Sequence, residues 1–175
     1  QMTILHTTLG PKRSDELGII LPHEHVFVDL RTPDAPNHGQ ASTADVVALM
    51  APQIEAIKAQ GVTAVVECTP EGVGRNISAL KAVSEATHVP LVVPTGIYRE
   101  PWVPACAHYA SEDALYDWML GQLTDEIPRT GVGAAENHRQ PVRIRQIERH
   151  VIGDGIGSFQ RPIEEKRTAH VFEIV

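Results

Sequence analysis

The sequence predicts an α/β fold in which right-handed βαβ units build a parallel sheet. Two observations predict it. Short apolar runs alternate with amphipathic segments along the first two-thirds of the chain, and the amphipathic segments carry apolar residues at three- and four-residue spacing. The 175 residues suffice for one compact domain, but a complete (β/α)8 barrel usually needs about 250. Periodicity alone does not decide between an open sheet and a barrel.

Three apolar segments are typical of strands. Residues 18–26 contain the run Ile-Ile-Leu ahead of two histidines, and residues 62–68 (VTAVVEC) have the β-branched composition of a strand buried on both faces. Residues 90–97 (PLVVPTGI) form the third strand, although Pro94 favours an early end or a bulge there. We place the opening of a fourth strand at residues 130–135.

The first predicted helix covers residues 44–60. Ser42 or Thr43 is suited to cap its start, and Gly61 is suited to stop it. Pro52 lies inside this segment, and we expect it either to kink the helix or to mark its true beginning.

Two further helices are predicted. One covers residues 76–87, with its apolar residues on one side. The other begins after Ser111, whose hydroxyl is suited to cap it, and Glu112 and Asp113 lie favourably in its first turn.

The C-terminal tail, residues 134–175, differs in character from residues 1–133. From residue 136 onward there are seven Lys or Arg against six Asp or Glu, whereas the first 135 residues contain eight and sixteen. Hydrophobic periodicity also fades, and only residues 161–173 suggest a short helix. We therefore predict a first domain that ends near residue 133 and an atypical tail.

Composition narrows the function classes. A net charge of −7 disfavours a nucleic-acid partner, which requires surplus Lys and Arg. No apolar run approaches the roughly 18 residues of a membrane helix, and residues 1–10 lack the pattern of a signal peptide. Cys68 and Cys106 do not make a disulfide framework, so we expect a reducing, cytoplasmic location.

The motif His23-Glu24-His25 closes the first apolar strand. Residues two apart in a strand point to the same side, so both imidazoles can reach one point in space. Neutral imidazole suits zinc and similar divalent metals, and the carboxyl end of a parallel sheet is where active sites are normally built. The alternative is a pair of histidines without a metal role. Glu24 should point to the opposite face and pair with a neighbouring segment.

Other candidates end the second and third strands. Among Glu67, Cys68 and Thr69, one or two are expected to face the same mouth, and Cys68 is better explained as a small buried residue. Tyr98 and Arg99 could hold a substrate oxygen or could simply be solvated.

The stretch EGVGR contains Gly72 and Gly74. Its spacing matches neither the dinucleotide-binding nor the Walker pattern. We predict that both are turn glycines.

Several short motifs occur over roughly residues 8–133: LGP at 9–11, ELG at 16–18, LPHEH at 21–25, GVT at 61–63, GRN at 74–76 and TGIY at 95–98. In combination they resemble the opening of the phosphotriesterase-like metal-dependent hydrolases of the amidohydrolase superfamily.

This resemblance implies a (β/α)8 TIM barrel, of which the chain would supply the N-terminal portion, about four βα units. It implies two divalent metals per site, most consistently zinc, with His23 and His25 holding the more buried one. It also implies hydrolysis of a small-molecule ester (a phosphotriester, a lactone or a related carboxylic ester) by a metal-activated hydroxide. Tyr98 would line the substrate pocket.

The tail departs from the family pattern. The ligand that bridges the metals should fall near His138, and Glu136 is out of register with it. His150 and His170 do not lie in the contexts expected of later ligands. We hypothesise that the tail is divergent or encoded out of frame relative to an intact relative.

Three functions therefore remain open. The first is an ester hydrolase with the chemistry of the family. It would be inactive if this truncated chain lacks the other metal ligands. The second is a non-catalytic half-barrel remnant that is unstable alone or associates with another chain, for instance as a homodimer. The third is a different small α/β protein in which the histidine pair is incidental.

Overall fold

A computed structural model describes residues 4–131 of the chain. Its strands are β1 (Ile4–Thr7), β2 (Gly10–Arg13), β3 (Ile19–Glu24), β4 (Val62–Glu67) and β5 (Leu91–Val92). Its helices are α1 (Thr43–Lys58), α2 (Ile77–Thr87), α3 (Glu112–Gly121) and the short α4 (Ile127–Arg129).

The strands β3, β4 and β5 form a parallel sheet in that order. Ile19 lies opposite Val62 at the start of the first pair, and Glu24 lies opposite Glu67 at its end. The crossovers through α1 and α2 confirm the predicted α/β fold with parallel strands. Across residues 4–131 the sheet does not close into a barrel.

The strand β3 is shorter than residues 18–26, because pairing stops at Glu24. Its ladder is irregular between Leu21 and Glu24, where Pro22 has no N–H to donate. Within the described residues β3 pairs with another strand on one side only, and its residue Ile19 is 56% exposed. The strand β4 is instead buried, as its β-branched sequence predicts.

The third strand is a correction to the sequence prediction. Its ladder covers only Leu91–Val92 rather than residues 90–97. Pro90 and Pro94, which lie on either side of the observed ladder, have no N–H to donate to it. Beyond the strand, Pro94 presents its carbonyl to a side chain, the Arg75 guanidinium, at 3.0 Å.

The helix α1 begins one residue before its predicted start. The Ser42 hydroxyl accepts a hydrogen bond from Asp45 N at 3.3 Å, which confirms the cap. Pro52 lies within the helix, so the expectation that it marks the beginning is wrong. Gly61 follows with a positive φ of 95°, which suits a residue without a Cβ.

The caps of the next two helices follow the same rule. Asn76 accepts from Ala79 N at 3.0 Å at the start of α2, and Ser111 accepts from Ala114 N at 3.2 Å at the start of α3. A π-helical turn, Gln122–Glu126, then leads into α4.

The hydrophobic core lies between the parallel sheet and helices α1 and α2. It is built from Val46, Ile54, Val62, Val65, Ala79, Leu80, Val83, Val89, Leu91 and Val93. None of the helices in the described part is long and apolar enough to cross a membrane.

An antiparallel hairpin of β1 and β2, which no sequence pattern predicted, precedes the sheet. It is attached to the first residue of β5: Thr8 N donates to Leu91 O at 2.8 Å, and Leu91 N donates to the Thr8 hydroxyl at 2.9 Å.

The predicted fourth strand at 130–135 lies largely outside the described residues, and its first two positions form a turn. The tail 134–175, with Glu136, His138, His150 and His170, lies outside them entirely.

Candidate metal centre

His23 and His25 lie at the carboxyl end of β3, beside the point where the ladder becomes irregular. Their ring centroids are 5.3 Å apart, and the rings meet edge to face at 75°. Both side chains are exposed, so their free ring nitrogens are open to an ion from solvent. The structure thus brings together the two histidines that the sequence singled out.

The imidazole of His25 is held from β4. Its Nδ1 lies 3.0 Å from the Thr69 hydroxyl, and that hydroxyl also contacts Glu67 Oε1. Thr69 follows the end of β4, so the strand pairing brings a residue 44 positions away to the ring. Of the three candidates at the end of β4, Thr69 reaches the histidine directly and Glu67 reaches it through Thr69.

Glu67 is fully buried yet well supplied with donors. Thr69 N donates to Oε2 at 2.7 Å, and Val26 N donates to Oε1 at 3.3 Å. Burial raises the pKa of this carboxyl, while the hydrogen bonds from Thr69 and Val26 oppose the rise by stabilising the anion.

The surroundings of His25 favour its neutral form. Partial desolvation lowers the pKa of the imidazole, and the neighbouring His23 lowers it further. Glu24 acts in the opposite direction. A neutral imidazole has the lone pair that a metal ion requires.

Glu24 and Cys68 connect the two strands just behind the histidines. Cys68 N donates to the Glu24 carbonyl at 2.8 Å, so Glu24 pairs with its neighbour through the backbone, and its side chain is exposed. Cys68 is buried, and burial raises the pKa of its thiol to about 11. It therefore stays a thiol at neutral pH, as the interpretation of Cys68 as a small buried residue requires.

Tyr98 lies after β5 in a cluster with Arg99 and Trp102. The Tyr98 and Trp102 ring centroids are 5.8 Å apart, and the Arg99 guanidinium carbon lies 5.7 Å and 5.9 Å from them. Trp102 Nε1 donates to Leu30 O at 2.9 Å, which ties this cluster to the loop that follows the histidines. Tyr98 and Arg99 were candidates from the sequence, whereas no sequence pattern indicated Trp102.

Of the two glycines of the EGVGR stretch, Gly74 lies in a turn, as predicted, whereas Gly72 lies in the short 3-10 helix Glu71–Val73. Gly74 has a positive φ of 91°, and a Cβ there would lie 2.6 Å from Asp29 Cβ. A Cβ on Gly72 would lie 1.8 Å from Trp102 O. These glycines let the loops after β3, β4 and β5 touch one another.

Arg75 joins the loops after β4 and β5, a role that the sequence did not predict although Arg75 lies in the GRN motif. Its side chain is only 2% exposed. It donates to Pro94 O at 3.0 Å, to Gln122 Oε1 at 2.9 Å and to Glu126 Oε1 at 2.8 Å. The arginine therefore anchors the end of α3 to the same edge of the sheet as the histidines.

Comparison with known proteins identifies the family of the chain. Residues 3–136 match the model of the Phosphotriesterase family. The chain belongs to that family.

Curated relatives include a phosphotriesterase homology protein of Mycobacterium tuberculosis, 36% identical over 142 residues. That alignment covers 76% of this chain and 43% of the relative. An N-acetyltaurine hydrolase of Rattus norvegicus is 26% identical over 146 residues, covering 68% of this chain and 42% of the relative. The chain thus spans about two-fifths of the length of these relatives.

Solved structures show the same partial match. The organophosphorus hydrolase of Deinococcus radiodurans is 31% identical with a TM-score of 0.62, over 74% of this chain and 41% of that one. A mutant phosphotriesterase-like lactonase of the same organism is 30% identical with a TM-score of 0.64, over 74% and 42%. The described fold therefore corresponds to part of a phosphotriesterase-family barrel.

The donors present fit a metal of the kind this family uses, but they are incomplete. His25 has one ring nitrogen engaged by Thr69, which leaves Nε2 for an ion. Among residues 4–131, no three His, Cys, Asp or Glu side chains are grouped so as to hold a metal. Within residues 4–131, His23 and His25 thus provide two imidazole ligands, and there is no third metal ligand beside them.

Proposed function

We propose that this chain is the N-terminal portion of a zinc-dependent hydrolase that cleaves ester bonds in small molecules, with His23 and His25 as two of its metal ligands. The observation that carries the proposal is the histidine pair at the carboxyl end of β3, with ring centroids 5.3 Å apart. Membership of the phosphotriesterase family supports it independently.

A divalent metal bound there would lower the pKa of a bound water and polarise the ester oxygen. The residues of the chain bind the metal and orient one of its ligands. His23 and His25 bind through neutral ring nitrogens, and Thr69 and Glu67 orient His25. Catalytic zinc usually has three protein ligands, so further ligands from beyond the described residues are required for hydrolysis.

Two observations support the proposed substrate class. Similar solved proteins carry the names organophosphorus hydrolase and lactonase, which indicate phosphotriester and lactone bonds. Tyr98, 41% exposed beside Trp102 and Arg99, presents an aromatic face with a hydroxyl at the same edge of the sheet. We assign Tyr98 to the substrate pocket.

Metal content per chain tests the proposal. Purified full-length chain is loaded with zinc, dialysed and analysed for elements, beside a His23→Ala/His25→Ala variant and a His108→Ala control that removes an imidazole after β5. Retained zinc that disappears in the double variant and persists in the control supports the proposal. Equal zinc in all three proteins, or none in any, would contradict it.

Ester hydrolysis is measured on the same samples. We expect turnover of an aryl phosphotriester or a lactone to be weak or absent in this chain, because two imidazoles leave the metal short of ligands. Strong turnover that survives the double histidine variant would show that the activity resides elsewhere.

A specific observation also favours a non-catalytic half-barrel that associates with a second copy. The strand β3 is unpaired on one side within the described residues, and Ile19 and Ile20 on it are 56% and 37% exposed. Open strand edges with apolar side chains invite pairing. Sedimentation analysis tests this: a discrete dimer that an Ile19→Lys change dissociates would support it, and a monomer would contradict it.

A further inference from the structure

A buried pair of polar residues stands behind the exposed histidine. Glu67 and Thr69 are 0% and 1% exposed, whereas His25 is open to solvent. We propose that Glu67 and Thr69 are positioning residues that hold the His25 imidazole in the tautomer with its proton on Nδ1, so that Nε2 faces solvent as the metal donor. The metal part of this inference rests on the proposed function.

Proton counting at Thr69 carries the argument. A hydroxyl has one proton to donate and two lone pairs with which to accept. Glu67 receives a peptide N–H on each oxygen, from Thr69 at 2.7 Å and from Val26 at 3.3 Å. In the contact between the two side chains the Thr69 hydroxyl is the donor and Glu67 Oε1 the acceptor, so the hydroxyl proton of Thr69 is directed to Glu67.

With its proton committed, the Thr69 oxygen can only accept from His25. The distance of 3.0 Å between Nδ1 and Oγ1 is that of a hydrogen bond. The proton must then be on Nδ1, and Nε2 retains its lone pair. In metal sites, the second ring N–H of a ligand histidine commonly donates to an outer partner, which fixes the tautomer and raises ligand basicity.

The strand pairing makes this arrangement rigid. Glu24 and Glu67 are partners across β3 and β4, so the turn that carries His25 runs beside the turn that carries Thr69. The Val26 N–H bond to Glu67 fixes the chain immediately after His25. An exposed imidazole is thereby oriented by buried groups before any ion binds, which reduces the entropy lost on binding.

Nitrogen NMR of the metal-free full chain, labelled with ¹⁵N-histidine, tests the tautomer directly. In the native chain we expect His25 to be protonated on Nδ1. Thr69→Val should abolish that preference, and Thr69→Ser should restore it, since serine keeps the hydroxyl. A His25 that is protonated on Nε2 in the native chain would overturn the inference, because Thr69 would then be the donor.

Zinc affinity provides the second readout. Loss of an outer-shell partner typically weakens metal binding by about 10- to 100-fold, so we expect Thr69→Val to raise the zinc Kd within that range. The matched control is Thr87→Val, which removes an equally buried hydroxyl bonded to Val83 O at 2.8 Å, remote from His25 in sequence. The control should leave both the zinc Kd and the His25 tautomer unchanged.

The two readouts separate this inference from the proposed function. If the native chain shows the expected tautomer but binds no zinc, the proposed metal site fails and the positioning role stands. If zinc binds through the histidines and Thr69→Val changes neither tautomer nor Kd, the positioning role fails alone. Glu67→Gln is a further test: it should weaken the preference for Nδ1, and if it does not fold, the threonine series still decides.

Discussion

Replacing Arg75 with alanine should destabilise the protein more than any comparable change to a surface arginine. The buried guanidinium satisfies Pro94 O and Gln122 Oε1, at 3.0 and 2.9 Å. Gln122 Oε1 keeps the hydrogen bond from the Thr95 hydroxyl, so Pro94 O is the acceptor left without a partner, at a cost of about 1–3 kcal/mol. The bond to Glu126 adds roughly 0–1 kcal/mol, because that carboxylate is exposed to water.

Urea unfolding of the full-length chain, followed by circular dichroism, measures this cost. The matched control is Arg129→Ala, whose guanidinium pairs with Asp125 at the surface and is 73% exposed. That exposed pair should contribute less than about 1 kcal/mol. A cost for Arg75→Ala as small as that of the control would refute the view that Arg75 anchors α3 to the sheet.

Three further predictions concern other parts of the chain. Iodoacetamide at about pH 8 should alkylate the exposed Cys106 and spare Cys68 until the protein unfolds, because burial raises the pKa of Cys68 to about 11; equal rates by mass spectrometry would contradict this. Gly74→Ala should lower the free energy of unfolding by more than about 1 kcal/mol and by more than Gly10→Ala does. Both glycines have positive φ, but only at Gly74 would a Cβ meet another residue, so equal urea midpoints would count against the packing argument. The Arg31 guanidinium holds the pKa of the Asp29 carboxyl well below the ordinary 3.8. The Asp29 carboxylate therefore stabilises the fold above pH 3.8, and this stabilisation is lost as the pH falls further. The stability difference between the native chain and Asp29→Asn should therefore shrink between about pH 6 and about pH 3, and a difference independent of pH would be inconsistent with this cause.

Local signals in the sequence were sufficient for most of the helices. Ser42, Asn76 and Ser111 all cap helix starts, because a short polar side chain reaches the free N–H groups of the first turn whatever the rest of the fold does. The β-branched run of β4 likewise predicted a buried strand.

Contacts between distant segments could not be obtained in the same way. Arg75 meets Gln122 across 47 positions, and nothing in either residue's neighbourhood announces the other. The hairpin of β1 and β2 was missed because its strands have four residues each, too few for periodicity to show. The third strand was overextended because apolar composition continues past Val92, while the prolines end the ladder.

The candidate site was only partly predictable. The spacing of His23 and His25 identified the pair, because side chains two apart share a strand face. The role of Thr69 depends on the register between β3 and β4, which the sequence does not specify. Residues 4–131 offer no third ligand beside the pair, and positions such as His138 lie beyond them.

X-ray absorption at the zinc edge of the loaded full-length chain tests the central claim most directly. With His23 and His25 as ligands, the spectrum should show imidazole scattering from two rings, with nitrogens at about 2.0–2.1 Å, and this scattering should vanish in His23→Ala/His25→Ala. A sulfur shell at about 2.3 Å, or an imidazole signal unchanged in the double variant, would contradict the claim that these two histidines hold the metal.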